Sequence, residues 1–291
     1  MPELPEVETI ARGLAKRVTG EVIESVWLGQ KKEPLKSPAA EIAAVLEDSR
    51  IAKVRRMGKH IVFDLDRVGR APSRANGAKR RKVASSASAE QAGAQWIVHL
   101  GMTGRLQVCD PEAETAKHTH AVLKLSSGRE LRFIDPRRFG RLSVSASGEF
   151  DAAGVEPLEV DLRHFVELFR GRKTPIKSAL LNQKLLRGVG NIYADESLFR
   201  AGIRPRRRAA SITHEQLRKL YLSIQEVLKE AIALGGSSVS NYVNADGEEG
   251  FFQLQHRVYG REGEPCLVCK KPIKRIVIAG RSSHYCPECQ G

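Results

Sequence analysis

The chain has 291 residues, 41% of them hydrophobic, and carries 48 Lys and Arg against 34 Asp and Glu, a formal net charge of +14. That length suits two domains with packed cores, and the basic excess favours a polyanionic partner, nucleic acid ahead of a membrane surface because no strongly basic amphipathic helix stands out. No apolar run approaches the ~18–20 residues of a membrane span and no charged-then-apolar leader opens the sequence, so a soluble, intracellular protein of the cytoplasm is expected.

The chain opens Met1-Pro2-Glu3-Leu4-Pro5-Glu6. With Met1 trimmed, Pro2 becomes a secondary amine flanked by a carboxylate. Such an α-amino group titrates at roughly 7.7–8.0 and can attack carbon to form an iminium intermediate, as catalytic lysines do. The competing reading is a proline that merely begins a disordered terminus. From Pro5 a helix is predicted: proline suits the first turn, Glu6 and Glu8 oppose the positive end of the dipole, and Val7, Ile10, Ala11 and Leu14 share a face. Strands are then predicted at 21–28, 51–57, 60–65, 95–100, 120–125, 130–134 and 141–144, short and β-branched or alternating, consistent with a two-layer β-sandwich over residues 1–147. Asp135-Pro136 marks a turn. Cys109 reads as a core thiol. Between 67 and 94 the pattern dissolves into Gly, Ala, Ser and basic residues, including Lys79-Arg80-Arg81-Lys82, as expected of an inserted, disordered surface loop.

From about residue 160 the period becomes helical, around Leu162 to Phe169 and over 176–186. Gly188-Val-Gly190-Asn191 sits between helical segments, where glycines allow tight turns and the next helix offers free N–H groups suited to a phosphate. Thr213-His-Glu-Gln216 is a capping box, and Leu217, Leu220, Ile224, Val227, Leu228 and Ala231 form one apolar stripe that Gly235 ends. A helical unit over 155–250 is therefore expected, closing in a Gly/Ser-rich loop at 235–252. Residues 255–291 hold Cys266-x2-Cys269 and Cys286-x2-Cys289, a spacing that fits a zinc-ribbon hairpin with one structural Zn2+ in a four-thiolate site. Disulfides or a redox Cys-x-x-Cys compete, but a cytosolic protein has little need of disulfides.

Taken together, the Pro-Glu-Leu-Pro-Glu start, His99-Leu-Gly-Met-Thr-Gly104, Asp135-Pro-Arg-Arg-Phe-Gly140, Gly188–Tyr193 and the ribbon with Arg281 closely resemble the bacterial formamidopyrimidine-DNA glycosylase family. The likeness spans nearly the whole chain outside 67–94. It implies an α+β protein: an N-terminal β-sandwich domain with a leading helix, a helix–two-turn–helix domain, and a zinc-ribbon β-hairpin. It also implies a monomeric base-excision repair enzyme acting on double-stranded DNA with damaged bases. In that family the terminal proline attacks the sugar C1′ and displaces the base, and the iminium then drives β- and δ-elimination. Carried over by position, Pro2 is the nucleophile, Glu3 a proton donor or relay, Lys59 a phosphate contact that assists catalysis, and Arg281 a phosphate grip for elimination. The damaged nucleotide must leave the stack, and Met102, Arg137 and Phe139 match the residues that fill its space. His118, Arg172, Lys177 and Asn191 match backbone contacts, with arginine at 172 where relatives carry lysine.

Two other readings compete. The endonuclease VIII type removes oxidised pyrimidines, but its usual start has glycine where this chain has Leu4, and 241–252 resembles the loop that purine-directed enzymes fold over an extruded base. A non-catalytic zinc-ribbon DNA-binding protein is the other.

Overall fold

The computed structural model describes residues 1–31, 33–68, 93–238 and 250–291. The Lys79–Lys82 tract and most of the expected base-covering loop, with Asn241 and Gly247, lie outside the described residues.

Helix α1 (Leu4–Val18) joins two cores. Its Val7, Ile10, Ala11, Leu14 and Val18 pack on the sheet, whereas Leu4 belongs to the helical core that follows. Pro5 stands in its first turn, where a missing N–H costs nothing. The N-cap is Glu3, whose N–H donates to the Glu6 carboxylate at 2.7 Å. The segment expected to hold the nucleophile is thereby pinned at the junction of the two halves.

Strands β1 (Val22–Leu28), β2 (Ser49–Met57), β3 (His60–Arg67), β4 (Ala94–His99), β5 (Arg105–Cys109), β6 (Thr119–Leu125), β7 (Glu130–Ile134) and β8 (Arg141–Ser145) form one antiparallel sheet in the order β5-β7-β6-β1-β2-β3-β4-β8. Every strand sends residues into one core, from Leu106 and Phe133 at one end to Trp96 and Leu142 at the other. The layers of the sandwich are thus one hydrogen-bonded sheet folded over its own apolar face. Register shifts at Ile23/Ser25, Ile51/Lys53 and Thr119/Ala121 supply the bends. Helix α2 (Ala39–Leu46), which the sequence reading did not foresee, buries Ile42, Val45 and Leu46 in the same core. Strand β5 was also missed. Its Cys109 is only half-buried at the strand end, not the core thiol expected.

The helical half comprises α3 (Leu162–Phe169), α4 (Ile176–Leu180), α5 (Asn191–Arg200) and α6 (His214–Ala233). The expected helix over 176–186 stops after five residues, because the Asn182 side chain accepts from the Lys184 N–H and its carbonyl accepts from Leu185 and Leu186. Helix α6 begins on the Thr213–Gln216 capping box and buries its stripe. Gly235 and Gly236 follow at φ +75° and +87°, their N–H groups bonded to Ile232 and Ala231 carbonyls. They form a fixed left-handed helix stop rather than a free hinge.

The C-terminal hairpin pairs β9 (Lys274–Ile278) with β10 (Arg281–Tyr285). Its turn, Ala279-Gly280, has both residues at positive φ, as two-residue hairpin turns of matching twist require. Arg281 is therefore presented at the tip.

Candidate active site

Pro2, Glu3, Lys59, Met102, Asn191 and Arg281 line one cleft of roughly 310 Å3 between the sheet and the helical half. Lys59 arrives there because Met57 pairs with His60, leaving Gly58-Lys59 as a two-residue hairpin turn with Gly58 at φ +57°. The Glu156 carboxylate fixes that turn by accepting the Gly58 N–H at 2.7 Å, and it also pairs with buried Arg56.

Glu3 is 3% exposed and lies at the start of α5. Its carboxylate accepts from the Ile192 N–H at 3.1 Å and more loosely from Tyr193 at 3.5 Å. This accounts for the glycines of the Gly188–Asn191 motif. A Cβ on Gly190 would fall 2.2 Å from the Glu3 carboxyl carbon, and one on Gly188 would strike the Leu4 side chain at 2.8 Å. The helix N-terminus that the sequence offered to a phosphate holds the protein's own carboxylate instead. Burial raises the Glu3 pKa to about 7, against the opposing pull of Lys59 and with a further upward push from Glu6. Burial also lowers the Lys59 pKa, opposed by Glu3 and reinforced by Arg281.

Glu6 is a participant that sequence reasoning missed, having assigned it to the helix dipole. It is 2% exposed. Besides the Glu3 N–H it accepts from the Tyr193 hydroxyl and from the Ser237 N–H, the latter at 2.8 Å. Burial raises its pKa, partly offset by those donors. Glu6 thus links the chain's start to the neck of the 235–252 loop. That neck is closed: Phe252 N–H donates to the Gly236 carbonyl, Ser238 N–H to the Gln253 side chain, and a Cβ on Gly250 would fall 2.4 Å from the Gly236 oxygen.

At the rim, Met102 is 40% and Phe139 52% exposed. The Arg137 guanidinium sits over the Phe139 ring, 4.8 Å from its centre. Their two loops are locked together. Gly101 has φ +63° and packs so closely that a Cβ would come 2.4 Å from the Phe139 carbonyl carbon, and Asp135 accepts from Thr103 Oγ1 and Gly140 N–H. Large apolar side chains held in solvent by buried polar bonds suit insertion into a partner. His118, exposed at φ +71°, joins this group through its carbonyl, which accepts the Asp135 N–H.

Arg172 is exposed on the turn after α3, its Nε bonded to the Leu168 carbonyl. Asn191 is half-buried on the cleft wall. Lys177 differs from its expected role as a direct backbone contact. It is fully buried, with Nζ 2.6 Å from Asp195 Oδ1 and 2.6 Å from the Ser282 carbonyl. Asp195 Oδ2 in turn accepts the His284 N–H at 2.8 Å. A buried ion pair therefore occupies the outer edge of β10 where another strand would lie, and it fixes the hairpin that carries Arg281.

The four cysteine sulfurs lie within 4.8 Å of one another, with Cys266 and Cys289 3.9 Å apart and Cys269 and Cys286 3.3 Å apart. Sulfurs bound tetrahedrally to zinc at about 2.3 Å are ~3.8 Å apart, so this donor set fits one structural zinc and leaves no open position.

Comparison with known proteins covers the whole chain. Residues 1–142 match the model of the formamidopyrimidine-DNA glycosylase N-terminal domain, 153–243 that of its H2TH domain, and 263–291 the zinc finger found in FPG and IleRS. Formamidopyrimidine-DNA glycosylases of Solibacter usitatus and Thermus thermophilus are 44% and 42% identical, each aligned over 100% of this chain and 99% of its own length. The crystal structure of the Thermus thermophilus MutM (FPG) protein superposes with a TM-score of 0.82 at 40% identity, covering 100% of this chain and 99% of that one. The Lactococcus lactis protein in complex with abasic-site DNA gives 0.84 at 31% identity, covering 99% of each. The chain belongs to the formamidopyrimidine-DNA glycosylase family.

Proposed function

We propose that the chain excises oxidised purines, 8-oxoguanine and formamidopyrimidines, from duplex DNA and cleaves the resulting abasic site, acting as a monomer in the bacterial cytoplasm. The observation that carries this reading is the convergence of Pro2, Glu3, Lys59 and Arg281 on one cleft whose rim holds Met102, Arg137 and Phe139. Membership of the family makes it a DNA glycosylase of base-excision repair. Among the described residues, no helix is long and apolar enough to cross a membrane.

While Met1 is present it acylates the Pro2 nitrogen, so removal of Met1 creates the nucleophile. The freed amine attacks C1′ of the extruded nucleotide, the glycosidic bond breaks, and the ring-opened sugar is held as an iminium on Pro2. Glu3, with a pKa of about 7, is partly protonated near neutral pH and sits beside the attacking residue. It gives that proton to the opening sugar oxygen and can recover it later, the tuning a general acid–base needs. The cationic Lys59 and Arg281 at the cleft take the phosphates flanking the lesion, and the guanidinium fork of Arg281 suits bidentate contact. The iminium acidifies the adjacent sugar carbon, so the 3′- and then the 5′-phosphate leave by β- and δ-elimination.

Met102 and Phe139 enter the space left by the extruded nucleotide while Arg137 bonds the orphaned base. His118, Arg172 and Asn191 contact the backbone. Lys177 acts from within by holding the hairpin. The bound zinc supplies no chemistry and only fixes the ribbon.

Borohydride trapping on duplexes that each carry one lesion tests this reading. Efficient trapping on 8-oxoguanine opposite cytosine, with the adduct on Pro2 by mass spectrometry, is the expected result. An adduct on Lys59, or preference for thymine glycol, would overturn it.

A further inference from the structure

Two turns of the helical half, neither of which lines the cleft, are joined into one basic surface. The first, 170–175, follows α3 and reads Arg-Gly-Arg-Lys-Thr-Pro; the second, 204–211, follows α5 and reads Arg-Pro-Arg-Arg-Arg-Ala-Ala-Ser. Together they hold seven cations and no acid. They are zipped by backbone bonds: Ala210 N–H donates to the Arg172 carbonyl at 2.8 Å, Ala209 N–H to Thr174 at 2.9 Å, and Ile176 N–H to Arg207 at 2.7 Å. Pro175 and Arg208 form a bridge, and Lys173 and Arg208 line one shallow depression.

The side chains divide into two sets. Arg204 bonds the Gln290 and Pro287 carbonyls and Arg207 bonds Ser211, so these two are structural. Arg170, Lys173, Arg206 and Arg208 are exposed and make no ion pair among the described residues. Four cations without an ion pair stand on one hydrogen-bonded platform, and the nearby Glu167 is paired with Arg163 rather than with Arg170. A polyanion with regularly spaced charge suits such a surface. The platform is also continuous with the proposed DNA interface. Its first turn carries Arg172, and the Lys177 N–H donates to the Pro205 carbonyl at 3.3 Å.

We propose that Arg170, Lys173, Arg206 and Arg208 form an outlying contact surface for the phosphate backbone of the duplex arm beyond the lesion. It adds affinity and reach along DNA without touching the damaged nucleotide. This rests on the reading of the protein as a duplex-DNA enzyme, and the platform's sequence-independent contacts would serve the search along undamaged DNA.

The test compares the wild type with R170A/K173A/R206A/R208A on two lesion duplexes, one just covering the cleft contacts and one several helical turns longer. If each cation neutralises one phosphate, the slope of log K against log salt on the long duplex becomes shallower by about 3 to 4. Affinity there falls at least tenfold at low salt, while binding and single-turnover excision on the short duplex are unchanged. Equal slopes for both proteins on the long duplex, or equal losses on both duplexes, would overturn the proposal. Loss of excision by the wild type on the short duplex would instead strike the function itself. The charge-conserving R170K/R206K/R208K variant must retain the long-duplex slope, and unchanged thermal unfolding of both variants excludes a folding defect.

Discussion

Two clusters of buried charge flank α5, and they are built on opposite rules. At its N-terminal end Glu3 and Glu6 are both acids, deeply buried, and held by N–H and O–H donors, with Lys59 supplying the nearest opposite charge to Glu3. Further along, Asp195 is equally buried but is paired directly with Lys177. Hydrogen-bond donors moderate the cost of burying a carboxylate but do not cancel it, so burial raises the pKa values of both acids in the first cluster. The second has an ion at 2.6 Å, and although burial still lowers the Lys177 pKa against the pull of Asp195, the pair serves geometry. On the proposed function, the difference separates a group that works by titrating from one that works by staying put.

Breaking the first cluster should have the larger effect on chemistry. Pro2→Gly, or a chain that retains Met1, is expected to lose base excision and borohydride trapping altogether while still binding abasic DNA. Glu3→Gln keeps the shape but removes the titrating proton, and should slow excision of 8-oxoguanine by about 10²–10⁴-fold. Single-turnover kinetics on matched lesion and abasic duplexes measure this. A Glu3→Gln enzyme with wild-type excision would show that the buried acid is only a helix cap.

Removing the metal attacks the platform on which the second cluster acts. A four-thiolate zinc site contributes on the order of 10 kcal/mol to local folding. Cys269→Ala is therefore expected to unfold the hairpin, release Arg281 from the cleft and weaken DNA binding. Elemental analysis should find one zinc per wild-type chain, and a finding of none would refute the site.

The second cluster can also be broken directly. Asp195→Asn leaves Lys177 buried without its counter-ion, a change that typically costs about 3–5 kcal/mol. Denaturant unfolding measures that loss. Replacing the pair together, Lys177→Met with Asp195→Leu, should recover much of the stability but not the clamp on Ser282 and His284. Its signature is a shift from β,δ-elimination toward β-elimination products at unchanged zinc content. Wild-type product ratios in the double variant would show that β10 needs no clamp to present Arg281.

How much of this was legible in the sequence follows the same division. The α6 capping box, the cysteine spacing and most strands were readable because each is a local pattern with a single physical cause. Helix α2 was not, since eight residues make only about two turns and carry little periodicity, and β5 was missed although β7 and β8 are no longer than it is. Glu6 and Lys177 were misread for another reason. A Glu in a first helical turn looks like dipole compensation, and Lys177 was carried over by family position as a backbone contact; only the tertiary fold shows that both are buried. Gly190 was seen as a phosphate turn because the carboxylate that fills it is Glu3, far away in sequence.

The smallest expected effect is on the pH dependence of stability, and it sharpens the contrast between acids and bases in the interior. Glu3 has a folded pKa of about 7 against an ordinary 4.5, so its contribution is fully present below 4.5 and is lost as pH rises through 7. His99, whose Nδ1 accepts the Gly101 N–H behind Met102, has the opposite sign. Burial, reinforced by His60, Arg141 and Lys59, lowers its pKa to about 4 from an ordinary 6.5. Its contribution is present above 6.5 and is lost as pH falls through 4. Between 4.5 and 6.5 the two slopes oppose each other. Glu3→Gln removes only the acid, so its melting temperature should rise more steeply with pH across that window than that of the wild type. His99→Asn should tilt the profile the other way. Parallel melting profiles for Glu3→Gln and wild type from pH 4.5 to 7 would mean that Glu3 ionises in the fold as it does in the unfolded chain, and the proton assigned to it for catalysis would then have to come from elsewhere.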